Sequence, residues 1–133
     1  MEDVTTVVLD AWAIVSWFSD EPAADRVAAE VSRRGRAVAS WVNLGEVAYV
    51  RGRAIGLAQA EADVLRFATT ITAELPDERL VLAAARFKAA GGLSYADAFA
   101  AATAERHRAP LLTGDPELLA LHGQIEVIDL RVS

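Results

Sequence analysis

The sequence predicts an α/β fold in which helices pack against a mainly parallel sheet. Short β-branched, apolar segments alternate with longer stretches of helical character, which is the pattern of such folds. Apolar residues make up 53% of the 133 residues. A chain of this length buries about two thirds of the surface that its unfolded form exposes. We therefore expect a single domain over residues 1–133 with a substantial hydrophobic core.

The first third of the chain predicts two strands and two helices. Residues 4–9 are β-branched and apolar and predict a buried strand, and bulky residues at helical spacing follow it over residues 11–18. Pro22 suits the first turn of a second helix, and Gly35 suits the position just past its end. Residues 36–40 predict the second strand.

The middle of the chain predicts three successive helices. The first covers residues 44–55 and ends at Gly56. The second covers residues 58–72, with Ala62, Leu65 and Ala68 on one stripe. The third begins at Pro76-Asp77 and runs to about residue 90.

The last third predicts two helices and two strands. Ser94 begins an alanine-rich helix that runs to about residue 108, and residues 110–113 predict a short strand. A brief helix over residues 116–121 and a last strand over residues 125–130 complete the chain. The alternation of strands and helices predicts parallel pairing.

Composition narrows the classes of function. The net charge of −6 argues against strong nonspecific binding of nucleic acid over the whole surface, although a local contact stays open. The absence of cysteine excludes a disulfide framework and a thiolate metal site. Met1-Glu2-Asp3 lacks the basic stretch of a signal peptide, and no apolar run approaches the ~20 residues of a membrane span. We expect a cytoplasmic protein without a membrane partner.

Four carboxylates stand where predicted strands end or predicted helices begin: Asp10, Glu46, Asp97 and Asp115. In open α/β sheets, ligands gather at the carboxyl ends of the strands, and the fold can bring distant residues to that edge. Four acids in one place repel each other unless a divalent cation or protons neutralise them. Metal-dependent phosphodiester chemistry is therefore the leading functional hypothesis.

Two of these acids have an equally good interpretation as helix caps. Asp10 stands immediately before a predicted helix, and aspartate is a favoured N-cap. Asp115 precedes Pro116, and proline is frequent at the first helical position. Capping and metal binding are compatible, because the positive end of a helix dipole keeps a carboxylate ionised.

The other two acids resemble the last position of a capping box. Glu46 lies three residues after Asn43, and Asp97 lies three residues after Ser94. The alanine-rich helix behind Asp97 is expected to pack closely against a neighbour, and a carboxylate at the head of a buried helix needs a partner or a metal. Both interpretations stay open for both residues.

Four motifs resemble those of the PIN-domain ribonucleases, most closely the toxins of bacterial VapBC toxin–antitoxin systems. The motifs are Val8-Leu9-Asp10-Ala11-Trp12-Ala13, Asn43-Leu44-Gly45-Glu46-Val47, Leu93-Ser94-Tyr95-Ala96-Asp97-Ala98 and Leu111-Leu112-Thr113-Gly114-Asp115-Pro116. Their order and spacing match the family, and the likeness spans nearly the whole chain. The resemblance implies a three-layer fold with a central, mainly parallel, twisted sheet of four to five strands flanked by helices.

The resemblance also implies an activity and partners. Asp10, Glu46, Asp97 and Asp115 would be the catalytic and metal-binding residues for Mg²⁺ or Mn²⁺, and Thr113 would support them as a hydrogen-bond donor. Of the four, Asp10, Asp97 and Asp115 are the first choices as direct ligands, while Glu46 would bind the metal or orient the attacking water. A metal-activated water would hydrolyse an RNA phosphodiester bond. The expected partners are a VapB-like antitoxin and a second copy of the chain in a homodimer.

One residue departs from the family pattern and keeps other functions open. Many relatives carry Ser, Thr or Asn two residues after the first aspartate, where this chain has Trp12. Trp12 favours one alternative, a noncatalytic binding module with the same fold. A second alternative, independent of Trp12, is a PIN-like nuclease of RNA processing outside a toxin–antitoxin pair. We expect four aromatic residues in the core: Trp12, Trp17, Phe18 and Trp41. The alternative is that part of this set lines a groove or a dimer face.

Overall fold

In the computed structural model, which describes residues 5–131, a sheet of five parallel strands forms the centre of the molecule. The strands are β1 (Val7–Leu9), β2 (Ala37–Ser40), β3 (Thr72–Glu74), β4 (Leu111–Thr113) and β5 (Val127–Asp129). The helices are α1 (Ala11–Phe18), α2 (Ala24–Val31), α3 (Trp41–Ile55), α4 (Leu57–Ala68), α5 (Glu78–Ala89), α6 (Tyr95–His107) and α7 (Pro116–Leu119). The predicted α/β class with a parallel sheet is confirmed.

The strand order β3-β2-β1-β4-β5 places β1 at the centre of the sheet. Leu9, the last residue of β1, pairs with Leu112 of β4, so these two strands end side by side. Asp10 follows β1 directly, and Asp115 follows β4 by two residues. Parallel pairing therefore brings residues that are about a hundred positions apart in sequence to one edge of the sheet.

Alternating side chains of the strands form two cores, one on each face of the sheet. Val7 and Leu9 lie in a core with residues of α1, α2, α3 and α4. Val8 and Leu111 lie on the opposite face in a core with residues of α5 and α6. Helices thus cover both faces, which gives the three layers that the resemblance implies.

The helix predicted over residues 58–72 is too long, and the strand β3 was not predicted. Helix α4 ends at Ala68, where the hydroxyls of Thr69 and Thr70 donate to carbonyl oxygens of the last turn. Thr72 then pairs in parallel with Val38 of β2. Strand β3 is stabilised by pairing with β2, which is distant in sequence. The helical pattern of the local sequence therefore could not indicate this strand.

Other predicted boundaries shift by a few residues. Helix α3 begins at Trp41 rather than at residue 44, because Ser40 is its N-cap and accepts a hydrogen bond from the amide of Val42. Val4, the first residue of the predicted first strand, lies outside the described residues. Among the helices of residues 5–131, none combines the length and the apolar character needed to span a bilayer.

Candidate active site

Three of the four predicted acids line one cleft of about 200 Å³ at the carboxyl edge of the sheet: Glu46, Asp97 and Asp115. Glu46 comes from the second turn of α3, Asp97 from the first turn of α6, and Asp115 from the N-cap of α7. The negative charges of Asp97 and Asp115 act on Asp10, which lies near them. Asp10 is buried, however, and does not line the cleft. The fold therefore brings all four acids into one region.

Asp10 is held from two sides in the interior. One oxygen accepts a 2.8 Å hydrogen bond from the amide of Ala13 and caps α1, and the other accepts a hydrogen bond from the hydroxyl of Thr113. The Thr113 oxygen in turn accepts from the amide of Asp115 at 2.9 Å. Thr113 is completely buried and thus connects the acid after β1 to the acid after β4.

Burial and repulsion from neighbouring charges raise the pKa values of Asp10, Glu46 and Asp97. Burial raises the pKa of Asp10 to about 7, against the hydrogen bonds from Thr113 and Ala13 that favour its ionised form. The pKa of Asp97 also rises to about 7, first because of burial and then because of the negative charge of Asp115. The same two causes raise the pKa of Glu46. Carboxyl groups in this state gain strongly from a nearby cation.

Glu117 is a member of the cluster that the sequence did not predict. Oxygens of Asp97, Asp115 and Glu117 all lie within 4.8 Å of one another. The amide of Glu117 donates to Asp115 in the first turn of α7. Its position two residues after a predicted ligand was the only signal in the sequence. Carboxylate oxygens are the ligand type that Mg²⁺ and Mn²⁺ prefer, and these three lie near enough to one another to fit a divalent cation.

Asn43 has a different role from the helix cap that the sequence suggested. Its side-chain amide, buried within α3, donates to the carbonyl oxygen of Ala96 at 2.9 Å. This bond joins α3, which carries Glu46, to α6 directly beside Asp97. The capping-box interpretation of Asn43 and Glu46 was therefore wrong, because Ser40 caps the helix one turn earlier.

Two buried oxygens on α3 lack a hydrogen-bond partner within residues 5–131: Oδ1 of Asn43 and Oε1 of Glu46. An unpaired buried acceptor costs about 1–3 kcal/mol. The two residues are three positions apart on α3 and share one face of the helix. Glu46 also lines the acidic cleft. Its unused acceptor is a second observation that fits a cation or its water shell at this site.

The Ser94–Asp97 capping box is present in part. The Ser94 hydroxyl accepts from the amide of Asp97 at 3.1 Å and caps α6. The carboxylate of Asp97, in contrast, stands beside Asp115 and Glu117 in the acidic group. The backbone amide of Asp97 thus takes part in the cap, while its carboxylate contacts both Ser94 and the acidic group.

Trp12 packs directly on the turn that leads to Asp115. A Cβ atom added at Gly114 would lie 2.3–2.5 Å from three atoms of the Trp12 ring. The absence of a side chain at Gly114 therefore makes room for the indole. Trp12 is only partly buried, and so are Trp17, Phe18 and Trp41, which pack at the margin of one core.

We expect Gly114→Ala to destabilise the protein by about 1–3 kcal/mol, because the new methyl group overpacks the contact with Trp12. In a Trp12→Ala background the same change is expected to cost less than about 0.5 kcal/mol. Urea unfolding of the four proteins of this double-mutant cycle measures the coupling. Gly45→Ala is the matched control, since a Cβ at Gly45 meets nothing within 4 Å. Equal costs in both backgrounds would contradict the packing described.

The comparisons with known proteins agree with this geometry. A family model of the PIN domain matches residues 7–123, which include Asp10, Glu46, Asp97, Asp115 and Glu117. The chain belongs to the PIN domain family. PIN domains are typically nucleases and generally use divalent metals. No curated protein matches the chain significantly in sequence.

Solved structures share this PIN fold over almost their whole length. DNA-bound VapBC from Salmonella typhimurium has a TM-score of 0.73 at 16% identity, covering 95% of this chain and 98% of that chain. A toxin–antitoxin complex from Klebsiella pneumoniae has a TM-score of 0.71 at 17% identity, with coverage of 94% and 98%. VapC20 of Mycobacterium tuberculosis, described as a sarcin-ricin loop cleaving toxin, has a TM-score of 0.71 at 19% identity, with coverage of 90% and 96%. At these identities the likeness shows the fold.

Proposed function

We propose that this chain is a Mg²⁺- or Mn²⁺-dependent endoribonuclease and the toxin of a type II toxin–antitoxin system, acting as one domain over residues 1–133. The observation that carries the proposal is the cluster of carboxylates at the carboxyl edge of a PIN-family sheet. Asp97, Asp115 and Glu117 form its tight group, with Asp10 and Glu46 beside it.

The residues that would hold the cation are Asp97 and Asp115, with Glu117 in the same tight group. Asp10, the third proposed ligand, lies buried beside this group, and Glu46 lines the same cleft. A bound Mg²⁺ or Mn²⁺ supplies a water nucleophile at neutral pH and neutralises charge on the phosphate. Without a cation, the same carboxylates would repel RNA. The carboxylates therefore form an anionic site that would bind phosphate only after it has bound a cation.

Individual residues contribute proton transfer and positioning. Glu46 reaches the cleft with a raised pKa and an unpaired oxygen, which suits a carboxylate that orients water and accepts its proton. Thr113 holds Asp10 and Asp115 at a fixed separation through two hydrogen bonds. Asn43 holds Glu46 relative to Asp97 by joining their helices.

The proposed partners follow from the proteins that share the fold. Several are toxin–antitoxin complexes, and one is described as a toxin that cleaves the sarcin-ricin loop. We extend this to an RNA substrate, a VapB-like antitoxin and a homodimer for the present chain. A cytoplasmic location follows from that function, since both the RNA and the antitoxin are expected there.

Expression in a bacterium tests the proposal directly. We expect the chain alone to arrest growth, and we expect Asp10→Asn to abolish the arrest at equal protein levels. Asparagine keeps one oxygen for the cap on α1, replaces the oxygen that accepts from Thr113 with an amide NH₂, and removes a negative charge. The purified parent is expected to cut RNA with Mg²⁺ or Mn²⁺ and not with EDTA.

The alternatives predict other results in the same assays. Metal-dependent cleavage without growth arrest would favour an RNA-processing nuclease outside a toxin–antitoxin pair. Neither cleavage nor arrest, with folded protein, would favour the noncatalytic binding module.

A further inference from the structure

Trp12 forms a wall shared by the acidic cleft and a larger cavity next to it. The acidic cleft measures about 200 Å³ and contains Glu46, Asp97 and Asp115. The neighbouring cavity measures about 490 Å³, which is within the usual range of small-molecule sites. Because one side chain borders both spaces, a ligand extending from the acids into the larger cavity must pass the indole.

The position of the indole relative to the acids is set by the site itself. Trp12 lies in the first turn of α1, two residues after Asp10. Its ring packs on Gly114, which stands between Thr113 and Asp115. A ring held on this turn keeps a constant distance from the carboxylates and is preorganised for binding.

The larger cavity combines apolar walls with arginine at its rim. Pro22, Ala23 and Leu130 line it together with Arg26 and Arg131. Arg26 is half-exposed and pairs with Glu30 at 3.4 Å, while Glu30 also has a closer partner in Arg36. Arg26 is therefore the more available of the two rim arginines, since Arg131 makes two 3.0 Å hydrogen bonds with Asp129.

Two carboxylates in the same cavity restrict what it can accept. Glu21 and Asp25 line the space and balance the two arginines, so the cavity has no net positive charge. A neutral cavity does not attract a polyphosphate, whereas a flat uncharged ring with one phosphate beside Arg26 matches these surfaces. A nucleobase with its own backbone phosphate has this composition.

We propose that Trp12 determines cleavage specificity by contacting the base of a nucleotide adjacent to the scissile phosphate, with a neighbouring phosphate bound by Arg26. This inference rests on the proposed function and names the subsite that its RNA substrate occupies. Base stacking on an aromatic ring does not require hydrogen-bond readout and favours bases with strong stacking. The departure from the family at Trp12 thus gives this chain a base preference of its own.

Cleavage of a randomised RNA pool, followed by sequencing of the new ends, tests the base preference. We expect the parent to show a preference at one position flanking the cut, Trp12→Leu to lose it, and Trp12→Phe to keep it. An RNA with an abasic residue at that position should be cut roughly tenfold less efficiently by the parent and equally well by Trp12→Leu. The affinity for Mn²⁺, measured by calorimetry, should not differ between parent and Trp12→Leu.

Binding is measured separately from cleavage in an Asp97→Asn background, with the fluorescein-labelled RNA pool. Adding Trp12→Leu or Arg26→Ala should weaken binding several-fold, and adding Arg34→Ala, an exposed arginine outside the cavity, should leave it unchanged. Unaltered base preference and unaltered binding in Trp12→Leu would overturn the proposal, and so would a matching loss of Mn²⁺ affinity. RNA that is bound through Trp12 but never cut by the parent would refute the nuclease function while the subsite stands. RNA that is cut equally well with and without Trp12 would support the nuclease function and refute the subsite.

Discussion

Asp97→Asn is expected to lower metal-dependent RNA cleavage by at least about 100-fold while the chain stays folded. The Asp97 carboxylate lies in the group with Asp115 and Glu117, so the change removes one anionic ligand from the centre of the cluster. The cap on α6 does not depend on this carboxylate, because Ser94 accepts from the backbone amide of Asp97. Single-turnover cleavage at saturating RNA, with circular dichroism of the same samples, measures both effects.

Glu105→Gln is the matched control for this prediction. Glu105 is an exposed carboxylate on the same helix, two turns beyond Asp97, and the change also removes one negative charge. We expect it to cleave like the parent. Comparable cleavage by Asp97→Asn and the parent, at equal Mn²⁺, would contradict the role proposed for the cluster.

The second large effect concerns stability. In the metal-free protein, we expect the free energy of unfolding to fall as the pH rises from 5.5 to 8. The folded chain holds Asp10 and Asp97 at pKa values of about 7, above their ordinary value of 3.8. In the unfolded chain these groups ionise at lower pH, so the unfolded state binds fewer protons over this window. The linkage relation then requires the free energy of unfolding to fall as pH rises through the window.

Acids with lowered pKa values do not contribute to the change in the free energy of unfolding between pH 5.5 and pH 8. The pKa values of Glu30, Asp63, Asp77 and Asp129 are lowered by arginine or glutamine partners. Their contribution is lost as pH falls through their folded pKa and is fully present above their unfolded pKa of about 4. It is therefore constant between pH 5.5 and pH 8.

A divalent cation should oppose this fall, because it binds the ionised carboxylates of the folded state. At a free concentration of 100 times its Kd, Mn²⁺ is expected to add about 2.7 kcal/mol to the free energy of unfolding at pH 8. The gain should be smaller at pH 5.5, where protons compete for the same oxygens. Chemical unfolding with EDTA or with Mn²⁺ at both pH values measures all four quantities.

The double variant Asp10→Asn/Asp97→Asn isolates the contribution of these two acids, since the rest of the chain is unchanged. We expect its stability to vary less with pH than that of the parent and to gain little from Mn²⁺. A parent protein whose metal-free stability rises from pH 5.5 to pH 8 would show that the acids do not share one buried region.

Local signals in the sequence predicted most helix starts and nominated four acids that the fold brings into one region. Asp77, Ser94 and Asp115 cap α5, α6 and α7 through bonds to amides two or three residues away, and such short-range contacts are visible in the sequence. Asp10 and Asp115 could be placed together because parallel strands end at one edge. The family resemblance also implied Thr113 as a donor, and its hydroxyl donates to Asp10.

Features that depend on distant neighbours could be found only in the tertiary structure. Strand β3 forms because it pairs with β2. The helical pattern of the preceding residues continues into β3, and no local signal marks the change. Asn43 was taken for a cap, although its partner is Ala96, fifty-three residues away. Glu117 and the packing of Trp12 on Gly114 likewise depend on how close separate elements come. The alternation of strands and helices, and the positions of the acids at their ends, can be predicted from the chain alone, because short-range hydrogen bonds and hydrophobic periodicity encode them. The distances between those acids, and the side chain that borders them, were decided by packing across the sheet.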